Sequence, residues 1–170
     1  MPPEALDRAR GISADVEVAV CTQGGASRQA SVAGGLALVD TDSVVVHDAA
    51  RPFATRADAL AVIAALERAD GAIVATPVDE TLKRVHDDSV IETVKRSSLW
   101  RAQTPQAFRT TVLKDAHRRA AEEAFEGTDD AQLLERYGFR VVVVEGSRTN
   151  LKLTYPGDFG LAELLARALT

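Results

Sequence analysis

The sequence predicts an α/β domain, on three observations. Short β-branched runs, SVVVHD (43–48), GAIVATPV (71–78) and RVVVVEG (140–146), are too brief for helices and carry the near-continuous apolar character of buried, largely parallel strands. Stretches with helical apolar spacing alternate with them, the pattern of a sheet covered by helices. A chain of 170 residues that is 46% hydrophobic can bury one sizeable core. A single domain over 1–170 is expected, with no repeat, linker or low-complexity tract.

The elements follow in order. Pro3 to Ala9 fits a short helix, since proline is tolerated in the first turn. VEVAVC (16–21) reads as a strand, and GGASRQASVAGGLALVD (24–40) opens on glycines and becomes helical near Ser31. SVVVHD reads as a strand buried on both faces. Thr55 and Asp58 stand at capping-box distance before ADALAVIAALERA (57–69). At Asp79 the character changes: ETLKRV and VIETVK alternate apolar and polar residues around HDDS, which predicts a solvent-washed hairpin over about 78–97. SSLWRAQTPQAF (97–108) is expected as a loop or short strand. Helices over 111–124 and 129–137, the strand RVVVVEG and a last helix after Pro156 complete the chain.

Composition excludes several function classes. The net charge of −5 argues against a broad nucleic-acid or anionic-membrane surface. The apolar runs are too short to cross a membrane, and the opening MPPEALDRAR has no apolar signal core. Cys21 is the only cysteine, so no disulfide forms within one chain and no cysteine cluster holds zinc; a reducing cytoplasm is expected. His47, His86 and His117 are too scattered for a metal cluster.

Three segments carry candidate chemistry. Asp48 and Arg51 stand just beyond a strand's carboxyl end, where open parallel sheets bind ligands. Such an acid can hold a metal or a sugar hydroxyl and such an arginine can fork onto phosphate, or the two can simply pin the loop. GGASRQAS brings Gly24, Gly25, Arg28 and Ser31 into a strand-to-helix turn suited to an anion, though it is no Walker or dinucleotide fingerprint. EGSRTNLKLT places Lys152 between Leu151 and Leu153, either across the sheet end or on a solvated edge. Arg96, beyond the hairpin, admits a functional or a merely solubilising reading.

Together GGASRQASVAGGL, VVVHDAARPF, ATPVDETLKRV, LWRAQTPQAF, TDDAQLLERYGF and GSRTNLKLTYPGDF resemble one family, the 2-C-methyl-D-erythritol 4-phosphate cytidylyltransferases of the non-mevalonate isoprenoid pathway. HDAARP, TPQ and N-x-K-x-T at these spacings carry the resemblance, which covers nearly all the chain beyond about Val16. It implies a Rossmann-like sheet with a protruding hairpin that grips a second subunit. By position, Gly24, Gly25, Ser31, Asp48 and Ala49 are expected at the cytidine nucleotide, with Asp48 near magnesium-bound phosphate. Asp48, Arg51, Thr81, Thr104 and Lys152 are expected at the methylerythritol phosphate, with Lys152 and Arg96 catalytic and with Thr81 and Arg96 completing the partner's site. The implied reaction joins a cytidylyl group from CTP to that phosphate and releases pyrophosphate, with Mg2+ as cofactor and a homodimer as the assembly. The resemblance also implies that a preceding strand and a glycine-rich loop with arginine and lysine are missing, so that this chain alone is expected to turn over poorly. A noncatalytic binding or dimerising remnant, and a nucleotidyltransferase for another pentitol phosphate, stand as alternatives.

Overall fold

Among the described residues four strands make the main sheet, in the order β1-β5-β2-β6: β1 (Ser43–Val46), β2 (Gly71–Pro77), β5 (Trp100–Arg109) and β6 (Val141–Glu145). The structure, a computed structural model, describes residues 20–169. The expected helix over Pro3–Ala9 and most of VEVAVC lie outside the described residues, and Val20 and Cys21 are not in a strand.

Hydrogen bonds at the strand ends give the directions. Gly71 N to Arg140 O (3.1 Å) and Gly146 N to Ala75 O (2.9 Å) run β2 and β6 parallel. Arg109 N to Asp70 O and Val78 N to Leu99 O (3.0 Å each) set β5 antiparallel to β2. Thr110 N to Asp42 O (3.0 Å) and Asp48 N to Thr104 Oγ1 (3.0 Å) set it antiparallel to β1 as well. The α/β class holds, but the segment expected as a loop or short strand is a ten-residue strand inside the sheet. Pro105 and the polar Gln103, Thr104 and Gln106 disguise it, because proline normally demotes a strand reading. All three polar residues are buried. β1 also departs from expectation: with one described neighbour it is half-buried, and Val45 is exposed.

The chain forms two compact units. One comprises the described residues up to 44 with 69–71 and 108–141. Its helices are α1 (Arg28–Leu36), α3 (Thr110–Glu122) and α4 (Asp130–Arg136). Helix α1 starts earlier than expected because the Ser27 side chain accepts from Ala30 N at 3.2 Å. Helix α3 buries Leu113, Ala116, His117 and Ala120, a helical spacing, and packs on α1 and α4. Asp129 caps α4 by accepting from Gln132 N at 2.9 Å. The buried Asp130 meets Arg28 Nη1 (2.8 Å) through Oδ2 and His117 Nε2 (2.9 Å) through Oδ1, so both of its carboxylate oxygens have a partner.

The other unit comprises 45–68, 72–107 and 142–169. Its core joins Val62, Ala65 and Leu66 with Ala72, Val74 and Ala107, and Val142 and Val144 pack against them. The first three belong to α2 (Arg56–Ala65) and its end, which begins with the expected capping box: Asp58 N to Thr55 Oγ1 at 3.1 Å and Thr55 N to Asp58 Oδ2 at 2.9 Å. Helix α5 (Asp158–Leu169) ends the unit. The expected hairpin is β3 (Leu82–His86) against β4 (Ser89–Val94), with a register shift between Arg84 and Val85. Asp87 (φ 45°) and Asp88 (φ 63°) supply the two left-handed positions of a tight hairpin turn, which aspartate tolerates. The hairpin is inserted between the neighbouring antiparallel strands β2 and β5, and Val78 N to Leu99 O closes its base.

Candidate active site

The chain leaves β1 into a turn, Arg51 N donating to Asp48 O at 2.9 Å. Thr104, buried on β5, holds that turn: its Oγ1 accepts from Asp48 N at 3.0 Å and lies 2.9 Å from His47 Nδ1. His47 Nε2 is 3.0 Å from Arg51 O. A carbonyl only accepts, so the imidazole carries its proton on Nε2 and takes the Thr104 hydroxyl on Nδ1. TPQ and HDAARP are thus one hydrogen-bonded device.

Leu153 N donates to Ala50 O at 2.8 Å, which lays residues 150–154 against the same turn. Lys152 then extends its Nζ to Asp48 Oδ2 at 3.0 Å; the lysine side chain is 46% exposed and the aspartate only 18%. Arg51 donates to Asn150 O (2.8 Å) and Ala102 O (3.3 Å). Burial lowers its pKa from the ordinary arginine value, partly offset by the charge of Asp48. Asn150, fully buried, donates to Thr104 O (2.9 Å) and Gln103 Oε1 (3.3 Å). Gln103 Nε2 returns to Ser147 O at 3.1 Å. Asp48, Arg51, Thr104 and Lys152 therefore adjoin, and the amides Gln103 and Asn150 tie the strand end to the lysine segment.

Beside them is a cavity of about 270 Å3 lined chiefly by Arg51, Arg101, Gln103, Arg148, Asn150 and Lys152. At its margin Asp79 Oδ1 meets Arg101 Nη2 at 3.3 Å and Asp79 Oδ2 meets Arg148 Nη1. A hydrogen bond with Glu80, its own backbone N–H and the charges of Arg148 and Arg101 hold the Asp79 carboxyl below the usual range. Arg96 Nη1 donates to Asp79 O, and Thr81 is exposed at the foot of the hairpin. Arg101, Gln103 and Asp79 were not among the expected site residues. The signal for Gln103 was its place beside TPQ; the aim of Arg101 and Asp79 depends on the fold.

Gly24, Gly25 and Ser31 belong to the other unit. Gly25 N donates to Ser31 Oγ at 3.0 Å, and Ser31 Oγ donates to Ser27 O at 2.8 Å. A Cβ on Gly25 would stand 2.5 Å from Ala30 Cβ and 2.9 Å from Ala30 C, so the turn needs glycine for close approach to the helix.

The family model described as IspD: 2-C-methyl-D-erythritol 4-phosphate cytidylyltransferase matches residues 1–168. The chain belongs to this family. A cytidylyltransferase of that name from Bacillus velezensis is 51% identical over 147 residues, covering 85% of this chain and 63% of its own length. One from Aquifex aeolicus is 47% identical over 163 residues, covering 96% and 74%. The chain thus spans less than two thirds of the Bacillus cytidylyltransferase. Among solved cytidylyltransferases, that of Thermus thermophilus superimposes with a TM-score of 0.83 at 42% identity, over 88% of this chain and 74% of that one. The synthase of Anaerococcus prevotii reaches 0.88 at 30% identity, over 97% and 75%.

Proposed function

We propose that the chain, as one cytidylyltransferase-like domain, serves transfer of a cytidylyl group from CTP to 2-C-methyl-D-erythritol 4-phosphate, with release of pyrophosphate. The observation that carries this reading is the Asp48–Lys152 pair beside a cavity lined by four cations, Arg51, Arg101, Arg148 and Lys152, at the ends of β1 and β6. Transfer at phosphorus needs alignment of two anions and neutralisation of their charge, with no covalent protein intermediate. Lys152 is placed to bind phosphate when a ligand draws it from Asp48. Arg51, fixed by two carbonyls, is a pre-oriented donor at the cavity wall. Thr104 positions the turn that bears both Asp48 and Arg51. Gly24, Gly25, Ser31 and Ala49 are assigned to the cytidine nucleotide on the family's pattern.

Among the described residues no three histidine, cysteine or acidic side chains cluster as a metal site. A single carboxylate suits Mg2+, which takes most of its ligands from phosphate and water, and Asp48 would give it one oxygen. The ion would supply neutralisation of phosphate charge. Thr81 and Arg96 are assigned to the site of a second copy through the hairpin, in a cytoplasmic homodimer. No described helix is long and apolar enough to cross a membrane.

Isothermal titration with CTP and with methylerythritol phosphate, beside a pyrophosphate-release assay with Mg2+, tests the reading. Binding of both with slow product formation is expected, and Lys152→Ala should depress that turnover further, by about a hundredfold or more. Binding without turnover would assign a noncatalytic role, and turnover of a different pentitol phosphate would reassign the substrate. Failure to bind either ligand would overturn the reading.

A further inference from the structure

Two of the four cations that line the cavity contribute only their charge to the cytidylyl-transfer reading. Arg101 is the second residue of β5, and Arg148 lies in the turn after β6. Arg51 is fixed by carbonyls and Lys152 by Asp48, whereas Arg101 and Arg148 are bridged by the single carboxylate of Asp79. Arg101 also reaches Glu80 at 3.6 Å. The bridge is exposed, with the Arg148 side chain 70% and Asp79 35% accessible, and exposed ion pairs of this kind exchange at little cost. Arg96, by donating to the Asp79 carbonyl, keeps that carboxylate at the cavity margin.

We propose that Arg101 and Arg148 form a two-armed receptor for a phosphate dianion in this cavity, and that Asp79 fills it as a placeholder until the ligand arrives. A carboxylate offers two oxygens and one charge. A phosphate monoester offers three oxygens and nearly two charges, which guanidinium forks match better. Each arginine meets Asp79 through one terminal nitrogen, which leaves further donors for an entering anion. The identity of that anion rests on the proposed function, where the acceptor's phosphate and the nucleotide's phosphates share this chemistry. The anion site itself rests on the geometry alone.

The test is titration of the full chain with inorganic phosphate at low ionic strength, with circular dichroism to verify the fold of each variant. Saturable binding is expected, weakened about tenfold or more by Arg101→Gln and by Arg148→Gln. Asp79→Asn should tighten it about threefold, because the competing anion is gone. Arg68→Gln, in the exposed turn after α2, should leave it unchanged. Unaltered phosphate affinity in both folded arginine variants would overturn the receptor. Weaker binding in Asp79→Asn would overturn the placeholder by making Asp79 an orienting residue. Separate titrations with a polyol phosphate and with CTP locate the source, since the arginine variants should lose affinity for the ligand whose phosphate they hold; where the unaltered chain binds both ligands, a loss for neither would also overturn the proposal. Phosphate binding with this arginine dependence but no affinity for CTP or methylerythritol phosphate would uphold this site and sink the cytidylyl-transfer reading. The converse result would sink this site alone.

Discussion

Thr104 has a hydroxyl that serves two groups at once, and its removal is the sharpest test at the scale of one residue. Thr104→Val keeps the shape but strands the Asp48 N–H and the His47 Nδ1. The expected loss is about 1–3 kcal/mol in urea unfolding, together with a weaker hold on ligand as the turn loosens. Asp48 and Arg51 stand out in the sequence as candidates because charged residues directly after a β-branched run have few reasons to be there, whereas Lys152 stands out only as a lysine between Leu151 and Leu153. Asn150 enters the sequence reading only as the first residue of N-x-K-x-T, with no role of its own. Its role as a fully buried tie between β5 and the lysine segment follows from tertiary contacts that no spacing encodes. The same holds for Arg101 and Arg148, whose long side chains are aimed by Asp79 rather than by their neighbours in sequence.

Elements were legible where local chemistry and apolar period agreed, as at the Thr55–Asp58 box and the HDDS turn. They were obscure where function put polar residues into a strand, as in β5. Two substitutions probe how tightly the elements are built. A Cβ on Gly146, just after β6, would stand 2.1 Å from Val74 Cγ1 and 2.8 Å from Gln103 Oε1. Gly146→Ala should therefore cost about 1–3 kcal/mol by overpacking, read in chemical denaturation. Gly34, inside α1, has open space around it among the described residues, so Gly34→Ala should stabilise by about 0.5–1 kcal/mol in the same assay. The start of α5 carries a pH dependence. Asp158 accepts from Tyr155 N (2.8 Å) and Thr154 N (2.7 Å), and these bonds lower its pKa. A lowered folded-state pKa means that its contribution is present above the ordinary carboxylate pKa and is lost as pH falls through the lowered one. Amide exchange at Thr154 and Tyr155 should rise over that acid window, and Asp158→Ala should remove the pH dependence.

Across the whole molecule, the α/β class was readable from the alternation of runs, whereas the reversed direction of β5 was not, since strand polarity is set by what pairs with what. The hairpin leaves Val85, Val90 and Ile91 more than half exposed, with Val85 opposite Val90. An isolated two-stranded ribbon is marginal in water, so a second copy is its expected support. Sedimentation equilibrium should give a dimer for the chain and a monomer after deletion of 79–98; a monomer before deletion would refute this. The placement of that ribbon has a wider consequence. Since β2 and β5 are adjacent and Val78 meets Leu99 at its base, everything beyond that hydrogen bond is, topologically, a long hairpin loop. Lengthening such a loop twofold costs only about 0.6 kcal/mol of closure entropy. The arm is therefore a module that descent can extend, trim or recharge, while the strands that carry Thr104 and the cavity wall keep their register.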